Sequence, residues 1–382
     1  MGSGEDAGRA VQYNTIKVRL YPTPEQALLF EKTFGCCRYI WNRMLADEKR
    51  FYLETDTHFI PTPAKYKREA PFLKEVDNQA LIQEHGKLTR AFRQFFKSPD
   101  TFGYPHFKRK KADRDSFTAC NHEFTSGPTI YLTRDGIRMT KAGVVRAKFH
   151  RRPRSGWKLK RITVSRTPTG RYDCSILFAC PVRTPQAVAP DPARTVGLKY
   201  SAAHFYVDDT GNMADPPHWL RRSQDKLAAI QRRLSRAVPG SRNYEELVQK
   251  YRLLHEHIAN QRRDFLHKES RRIANAWDVV CMQKNAMQAV DRFMQRANGL
   301  EAGFGTFRVL LDYKLARQGK QLLLVDRFEP VARQCSRCGY LLPEGVDYGR
   351  RVWRCPACGA QHRREVNAAH NIKQAGLRAL AG

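Results

Sequence analysis

The pattern of apolar and polar positions divides the chain into a helical part, a strand-rich part and a part where strands and helices alternate. Residues 16–21 alternate like a short strand, and Pro22-Thr23-Pro24-Glu25 is typical of a helix start. An amphipathic stretch follows to about residue 52. A second helical pattern covers 78–96 and ends before Pro99. The segment from 23 to about 100 is therefore predicted to be helical.

Short alternating runs separated by Gly, Pro and Thr follow, at 129–132, 143–149, 160–165 and 172–179. Such spacing is typical of a small antiparallel barrel or sandwich. Residues 181–192 are rich in Pro and Ala, which predicts a linker at the main domain boundary.

The last part alternates between strands and helices. Strands are predicted at 195–200, 204–208, 277–282 and 322–325, and helices at 219–237, 242–276, 304–318 and 366–380. This order predicts an α/β domain with a mixed sheet. A length of 382 residues fits two to four domains. Residues 1–11 are small and polar, and are interpreted as a disordered tail or a cloning remnant.

The net charge of the chain indicates which class of partner it binds. The chain has 68 Lys and Arg against 37 Asp and Glu, a formal charge of +31, which favours a polyanionic partner. No apolar run is long enough to span a membrane and no secretion signal is present, so a membrane protein or a secreted one is not expected. Nucleic acid is the partner that remains.

The basic charge is densest between 106 and 161, where 16 Lys or Arg face 4 Asp or Glu. A single lysine in such a segment is usually just solvated, but the density of the whole segment indicates a nucleic-acid surface. The candidate contacts to RNA or DNA backbone are Lys108, Arg109, Lys110, Lys111, Arg151, Arg152, Arg154 and Lys158, with Trp157 as a stacking platform.

Four of the ten cysteines form two CxxC pairs, Cys335 with Cys338 and Cys355 with Cys358. Two such pairs supply the four thiolates of a closed tetrahedral site, which predicts structural zinc in a zinc ribbon. His362 is interpreted as an ordinary polar histidine. The other six cysteines are scattered in apolar contexts and read as intracellular thiols.

Several segments together resemble the TnpB family, RNA-guided nucleases of bacterial insertion sequences that are relatives of type V CRISPR effectors. They are 34–45 (FGCCRYIWNRML), 102–108 (FGYPHFK), 196–201 (VGLKYS), 277–282 (WDVVCM), the two CxxC pairs, and 366–372 (VNAAHNI). The resemblance covers essentially the whole chain.

The resemblance implies a multidomain α+β protein with an RNase H-like (RuvC) α/β domain and a zinc ribbon, preceded by a helical recognition lobe and a wedge β-barrel. The domains expected are the wedge barrel at 12–22 and 106–182, the helical lobe at 23–105 and a linker at 183–193. The RuvC domain then covers 194–334 and 359–382, and the zinc ribbon covers 335–358.

Three carboxylates hold two divalent metal ions in such nucleases, and this chain departs from that pattern at each position. Lys199 stands where the first strand has Asp, Gln283 where the second has Glu, and Glu365 where the last Asp is expected. Together the three carry no net charge, and Mg²⁺ requires hard oxygen ligands. We therefore expect a degenerate catalytic triad that binds no catalytic Mg²⁺, and a Lys199–Glu365 salt bridge in place of the metal.

The favoured hypothesis is thus an RNA-guided DNA-binding protein that occupies its target without cleavage and represses transcription. Its partners would be a guide RNA and double-stranded DNA carrying a short flanking motif, with Asn78, Gln79 and Gln83 as candidate readers of that motif. The expected location is the bacterial cytoplasm, in association with the nucleoid. Two alternatives stay open: an active RNA-guided endonuclease with non-standard ligands, and an RNA-binding subunit without a DNA target.

Overall fold

The structure is a computed structural model that describes residues 10–110, 115–182, 185–201, 204–215, 219–284, 303–343 and 351–381. The chain divides into two compact units, 1–183 and 184–382.

Unit 1 combines an antiparallel sheet with two long helices. Its strands are β1 (Ala10–Tyr21), β2 (Ser116–Cys120), β3 (Glu123–Phe124), β4 (Gly127–Pro128), β5 (Tyr131–Leu132), β6 (Gly136–Met139), β7 (Gly143–Lys148), β8 (Lys158–Arg166) and β9 (Tyr172–Val182). Its helices are α1 (Pro24–Thr55) and α2 (Asn78–Lys97), with short 3₁₀ helices at Pro63–Lys67 and Pro71–Lys74. Seven strands form an open half-barrel in the order β2-β8-β9-β1-β7-β6-β5, and β3 pairs with β4.

Local sequence explains where helix α1 begins. Thr23 caps the helix, because its hydroxyl accepts from the Gln26 amide while the Gln26 side chain accepts from the Thr23 amide. The inner face of the sheet is then covered by apolar side chains of α1, including Phe30 and Phe34. Strand alternation supplies the other half of this core, with Ile16 and Val18 of β1 fully buried.

Unit 2 is built on a mixed five-stranded sheet. Its strands are β10 (Thr195–Tyr200), β11 (Tyr206–Asp208), β12 (Met213–Ala214), β13 (Val279–Gln283) and β14 (Gln321–Val325), in the order β12-β11-β10-β13-β14. The pairs β10–β13 and β13–β14 are parallel, and the others are antiparallel. A separate ribbon consists of β15 (Val352–Arg354) and β16 (Gln361–Arg363).

Helices cover both faces of this sheet. The helices of this unit are α3 (Trp219–Leu234), which packs on α4, then α4 (Arg242–Ala276), α5 (Phe304–Ala316) and α6 (Arg364–Ala381), with a 3₁₀ turn at Pro192–Arg194. Val280 and Met282 of β13 pack in the core that includes α4 and α5, whereas Val279 and Cys281 pack in the core that includes α6. A parallel strand buried on both faces is expected in a three-layer α/β fold.

The predicted fold class is confirmed, and most predicted elements lie within a few residues of the observed ones. Residues 10 and 11, expected in a tail, instead belong to β1, because they pair with β9. Seven strands were not predicted: β2, β3, β4, β6, β12, β15 and β16. Three of them, β3, β4 and β12, have two residues each, too few to show a period. Strand β11 begins at Tyr206, two residues after the predicted start.

Candidate catalytic and zinc sites

Lys199, Gln283 and Glu365 lie together at one edge of the unit 2 sheet. Leu198 pairs with Met282 in the parallel β10–β13 register, so the next residues, Lys199 and Gln283, are neighbours at the ends of their strands. Residues two apart share a face of a strand. Gly197 and Lys199 therefore face α6, whose first turn carries Glu365. The sheet and this helix assemble the three positions from distant parts of the chain.

The Lys199 ammonium hydrogen-bonds with Gln283. Its Nζ donates to Gln283 Oε1 at 3.4 Å, while Gln283 Nε2 donates to the carbonyl oxygens of Arg327 and Glu329 at 3.2 and 3.3 Å. Burial of the ammonium lowers the pKa of Lys199, Glu365 opposes that change, and Arg364 adds to it. Both polar ends of the Gln283 amide are thus engaged within the fold.

The prediction of a Lys199–Glu365 salt bridge is wrong: among the described residues, these two side chains do not form an ion pair. Glu365 Oε1 instead accepts from Ser201 Oγ at 2.7 Å, and Ser201 Oγ in turn accepts from the His204 amide at 3.1 Å. The Gln283 amide oxygen accepts the lysine hydrogen bond that the carboxylate was expected to accept. Glu365 acts on Lys199 only through its charge.

Nearby acids have structural partners. Asp208 accepts from the Thr210 and Asn212 amides, which closes the turn between β11 and β12. Asp209 accepts from the Gly197 amide at 2.9 Å and pairs with Lys373 at 3.1 Å. At the opposite end of β13, Asp278 pairs with Arg194 and Lys320, and these cations lower its pKa. Each carboxylate therefore stabilises the fold where it stands.

The four predicted zinc ligands converge. The sulfur atoms of Cys335, Cys338, Cys355 and Cys358 all lie within 4.8 Å of one another. Cys335 Sγ is 3.7 Å from Cys358 Sγ, and Cys338 Sγ is 3.6 Å from Cys355 Sγ. A tetrahedron with Zn–S bonds of about 2.3 Å has edges of about 3.8 Å, so the four thiols fit a zinc ion.

Both cysteine turns have the same backbone. The Gly339 amide donates to the Cys335 carbonyl and the Gly359 amide to the Cys355 carbonyl, each at 2.9 Å, with φ of 78° and 70° at the two glycines. Such positive φ values favour glycine. His362 Nε2 lies 3.1 Å from Cys335 Sγ, closer than the interpretation of an ordinary polar histidine implied.

Two asparagines of α6, which were not among the predicted site residues, hold the first cysteine turn. Asn367 accepts from the Ser336 amide at 2.9 Å and donates to the Gln334 carbonyl at 2.8 Å. Asn371 donates to the same carbonyl and to that of Val331. Both side chains are buried. Their spacing of four residues, on one face of a helix, was the available signal.

The candidate motif readers lie on the first two turns of α2. Asn78 is exposed, and its Oδ1 accepts from Lys67 Nζ at 2.6 Å. The Gln79 amide donates to the N-cap Asp77, while Gln79 and Gln83 are half-buried. The structure brings the three together on one helix, and their reading of DNA stays a prediction.

The candidate contacts to the RNA or DNA backbone differ in whether an acidic side chain of the protein already pairs with them. Lys108 Nζ pairs with the buried Glu84 at 2.6 Å and lies 4.1 Å above the Trp41 ring. Lys87 pairs with the same carboxylate, so Glu84 offsets the charge of Lys108 only in part. Arg151 donates to the Thr15 carbonyl at 3.0 Å, and Arg152 donates to the Thr133 carbonyl at 2.8 Å. These exposed arginines keep their charge because a carbonyl does not neutralise it.

The remaining candidates lie along the same segment. Arg109, Lys110, Arg154 and Lys158 are exposed, whereas Trp157 is half-buried with its ring 5.8 Å from that of Phe178. Lys111 lies outside the described residues. Among the described helices, none is long and apolar enough to cross a membrane.

Family profiles match three stretches of the chain. Residues 13–56 match a "Helix-turn-helix domain" of IS605 OrfB proteins, 178–284 match the "Probable transposase" profile of the same proteins, and 304–372 match a "Cas12f1-like, TNB domain". In this structure, residues 13–56 form β1 and the single long helix α1.

Two bacterial relatives match almost the whole chain. A Streptomyces pristinaespiralis protein named "Putative RNA-guided DNA endonuclease" is 32% identical over 379 residues, covering 96% of this chain and 90% of that protein. The Escherichia coli K12 protein of the same name, InsQ, is 30% identical, with 96% and 93% covered.

Among solved structures, Cas12f1 in complex with single guide RNA and target DNA has a similar fold, with a TM-score of 0.60. It is 12% identical in sequence, and the match covers 95% of this chain and 99% of that one. Identity to the bacterial relatives over nearly the full length shows that this chain belongs to the TnpB family of IS605-type insertion sequences.

Proposed function

We propose that this chain binds a guide RNA and the DNA that pairs with it, and holds the target without cutting it. The bacterial relatives are named as RNA-guided endonucleases, and the structural neighbour is a complex with guide RNA and target DNA. In this proposal, base pairing between the guide RNA and one DNA strand selects the sequence, and the protein holds the resulting RNA–DNA heteroduplex.

The Lys199 ammonium is the main support for the loss of cleavage. It lies at the strand ends where two-metal nucleases place carboxylates, and it hydrogen-bonds with Gln283 rather than with an acid. A lysine there repels a divalent cation, and an amide is a weaker ligand than a carboxylate. Among the described residues, the cysteine cluster is the single group of three or more His, Cys, Asp or Glu side chains placed to share a metal.

Zinc has a different role in this proposal. Four cysteine thiolates would fill the coordination shell of Zn²⁺ and leave no position for substrate, so the ion would hold the ribbon together. The contacts of Asn367 with the first cysteine turn would then transmit that order to α6, which begins at the Lys199–Glu365 edge.

Occupancy of a DNA target without cleavage would block transcription, so the proposed output is repression. Because the target is genomic DNA, the proposed location is the nucleoid. The test is to purify the chain from its native locus, sequence the RNA that accompanies it, and map its genomic occupancy. We expect one discrete RNA species and occupancy at sites that match its guide segment. Enrichment of RNA without matching DNA sites would instead favour an RNA-binding subunit without a DNA target.

A further inference from the structure

The side chain of His362, on strand β16, lies against the cysteine cluster. Its Nε2 is 3.1 Å from Sγ of Cys335, a residue that is 1% exposed. Cys335 already has three sulfur neighbours, because the four cysteine sulfur atoms all lie within 4.8 Å of one another. The imidazole is therefore an additional polar group beside a complete set of four sulfur donors.

The distance between Nε2 and Sγ distinguishes two roles for this imidazole. Zn–N and Zn–S bonds are about 2.0–2.1 and 2.3 Å long, so a histidine and a cysteine that share a tetrahedral zinc ion have N and S atoms roughly 3.6 Å apart. The observed 3.1 Å is shorter than this edge and fits a hydrogen bond to sulfur. Four thiolates also fill the coordination shell of zinc by themselves. His362 is thus placed to hydrogen-bond with a ligand.

The proton of this hydrogen bond belongs to the imidazole whenever zinc is bound. Zinc binds cysteine as a thiolate, which has no proton to donate. Nε2 must then donate, and Sγ of Cys335 must accept. The ribbon fixes the orientation of the ring, because His362 is the cross-strand partner of Trp353 and the two ring centroids are 4.8 Å apart.

The other buried ligand, Cys355, receives its hydrogen bonds from the backbone. The amides of Ala357 and Cys358 both hydrogen-bond with its sulfur atom. A zinc ion with four thiolates would carry a net negative charge, and a buried charge is costly unless hydrogen bonds compensate for it. Cys335 is as buried as Cys355, and the imidazole supplies a donor at this position.

We propose that His362 donates a hydrogen bond from Nε2 to the zinc-bound thiolate of Cys335 and thereby raises the affinity of the ribbon for zinc. His362 is in this inference a positioning residue and not a ligand. The inference rests on the zinc site of the proposed function. The same bond would tie β16 to the first cysteine turn, two residues before α6 begins at Arg364.

The test compares two substitutions of His362 in the full-length chain with its co-purified RNA. His362→Phe keeps a ring against Trp353 and removes the N–H donor, whereas His362→Gln loses the ring and keeps an N–H donor. Zinc affinity is measured in zinc buffered by a chelator of known affinity. We expect zinc binding to be roughly 10- to 100-fold weaker in His362→Phe, the usual effect of losing a partner of a metal ligand. His362→Gln should recover most of this loss.

Cobalt substitution provides a readout that a purely structural role would not change. A hydrogen bond stabilises the lone pairs of a thiolate, so its loss should move the thiolate-to-Co²⁺ charge-transfer band to longer wavelength. We expect this shift in His362→Phe and not in His362→Gln. The d–d bands should keep the pattern of four thiolates in every variant. His370→Phe, which removes an exposed histidine of α6, is the matched control and should behave as the wild type does.

Thermal unfolding in zinc checks that each variant folds, and His362→Ala takes the place of His362→Phe if the latter does not. Equal charge-transfer bands and zinc affinities with and without the N–H donor would overturn the inference. A wild-type d–d pattern of three thiolates and one imidazole would also overturn it, because His362 would then be a ligand. A wild-type chain without zinc would contradict the zinc site of the proposed function as well. Guide-dependent retention of DNA is a separate measurement, so the failure of the two proposals can be told apart.

Discussion

At the scale of single residues, Lys199 and Gln283 are joined by a hydrogen bond at the carboxyl ends of β10 and β13. The ammonium and the amide satisfy each other at 3.4 Å, and the amide is tied to two backbone carbonyls. A buried polar group without a partner is costly. These contacts therefore give the polar groups at this edge of the sheet partners within the fold.

Three carboxylates at this edge of the sheet should bind a divalent metal ion. In the triple variant Lys199→Asp, Gln283→Glu and Glu365→Asp, three negative charges would crowd one edge and repel one another. We expect a lower melting temperature than the wild type in EDTA and a rise in melting temperature when Mg²⁺ is added. The wild type, measured in parallel, should show no such rise. A Mg²⁺ response of equal size in both proteins would contradict the degenerate site.

Lys314 of α5 should make stability depend on pH. It is 3% exposed, and its Nζ donates to the His267 carbonyl and Ser270 Oγ rather than to an acid. Burial, aided by Arg271, lowers the pKa of Lys314 to about 8. The unfolded chain, with a lysine pKa of about 10.4, then holds more protons above pH 8, so stability rises with pH through that window.

The matched measurement compares melting temperatures from pH 7 to 10 for the wild type and Lys314→Met. The wild type should gain up to about 3 kcal/mol relative to the variant as pH rises from about 8 to about 10. Lys268→Met, which removes an exposed lysine of α4, serves as the control and should track the wild type. Parallel curves for all three proteins would show that Lys314 keeps an ordinary pKa.

At the scale of elements, strand β10 and helix α6 touch through backbone at Gly197. A Cβ on this residue would lie 2.0 Å from the Ala369 carbonyl oxygen and 2.9 Å from the Lys373 amide nitrogen. Ala368 and Ala369 are buried at the same contact. Small residues on both sides thus allow the helix to approach the sheet and place Glu365 at its edge.

Gly197→Ala should separate these two elements. Overpacking a close contact typically lowers the free energy of unfolding by about 1–3 kcal/mol. Because the added methyl group would meet backbone atoms, we expect a clear fall in melting temperature. Gly86→Ala provides the contrast, because its Cβ would meet nothing within 4 Å and the residue is inside α2. That change should stabilise the helix by up to about 1 kcal/mol. Equal effects of the two substitutions would contradict the close approach.

Local patterns predicted the elements well, and contacts between distant residues account for what was missed. The cap at Thr23 and the CxxC turns depend on neighbours within a few residues, so the sequence contains their whole signal. By contrast, the partner of Glu365 is Ser201, 164 positions away. Likewise, the sequence predicted Lys108 as a contact to phosphate, whereas the fold places the Glu84 carboxylate against its ammonium.

At the scale of the whole molecule, the charge of +31 is divided among different uses. Exposed arginines such as Arg151 and Arg152 donate to backbone carbonyls that leave their charge in place, whereas Lys108 and Lys320 pair with buried acids of the fold. Lys199 has a third use, because its ammonium donates to Gln283 at the ends of two strands. Net charge alone could not separate these uses, because each depends on what the fold places nearby.

Cleavage of matched DNA by the wild-type complex tests the central claim most directly. The chain, loaded with its own guide RNA, is incubated with matched duplex DNA in Mg²⁺ and separately in Mn²⁺, and both retention and strand breaks are measured. We predict guide-dependent retention of intact DNA in either ion. Metal-dependent cutting that disappears in Glu365→Gln would contradict the account.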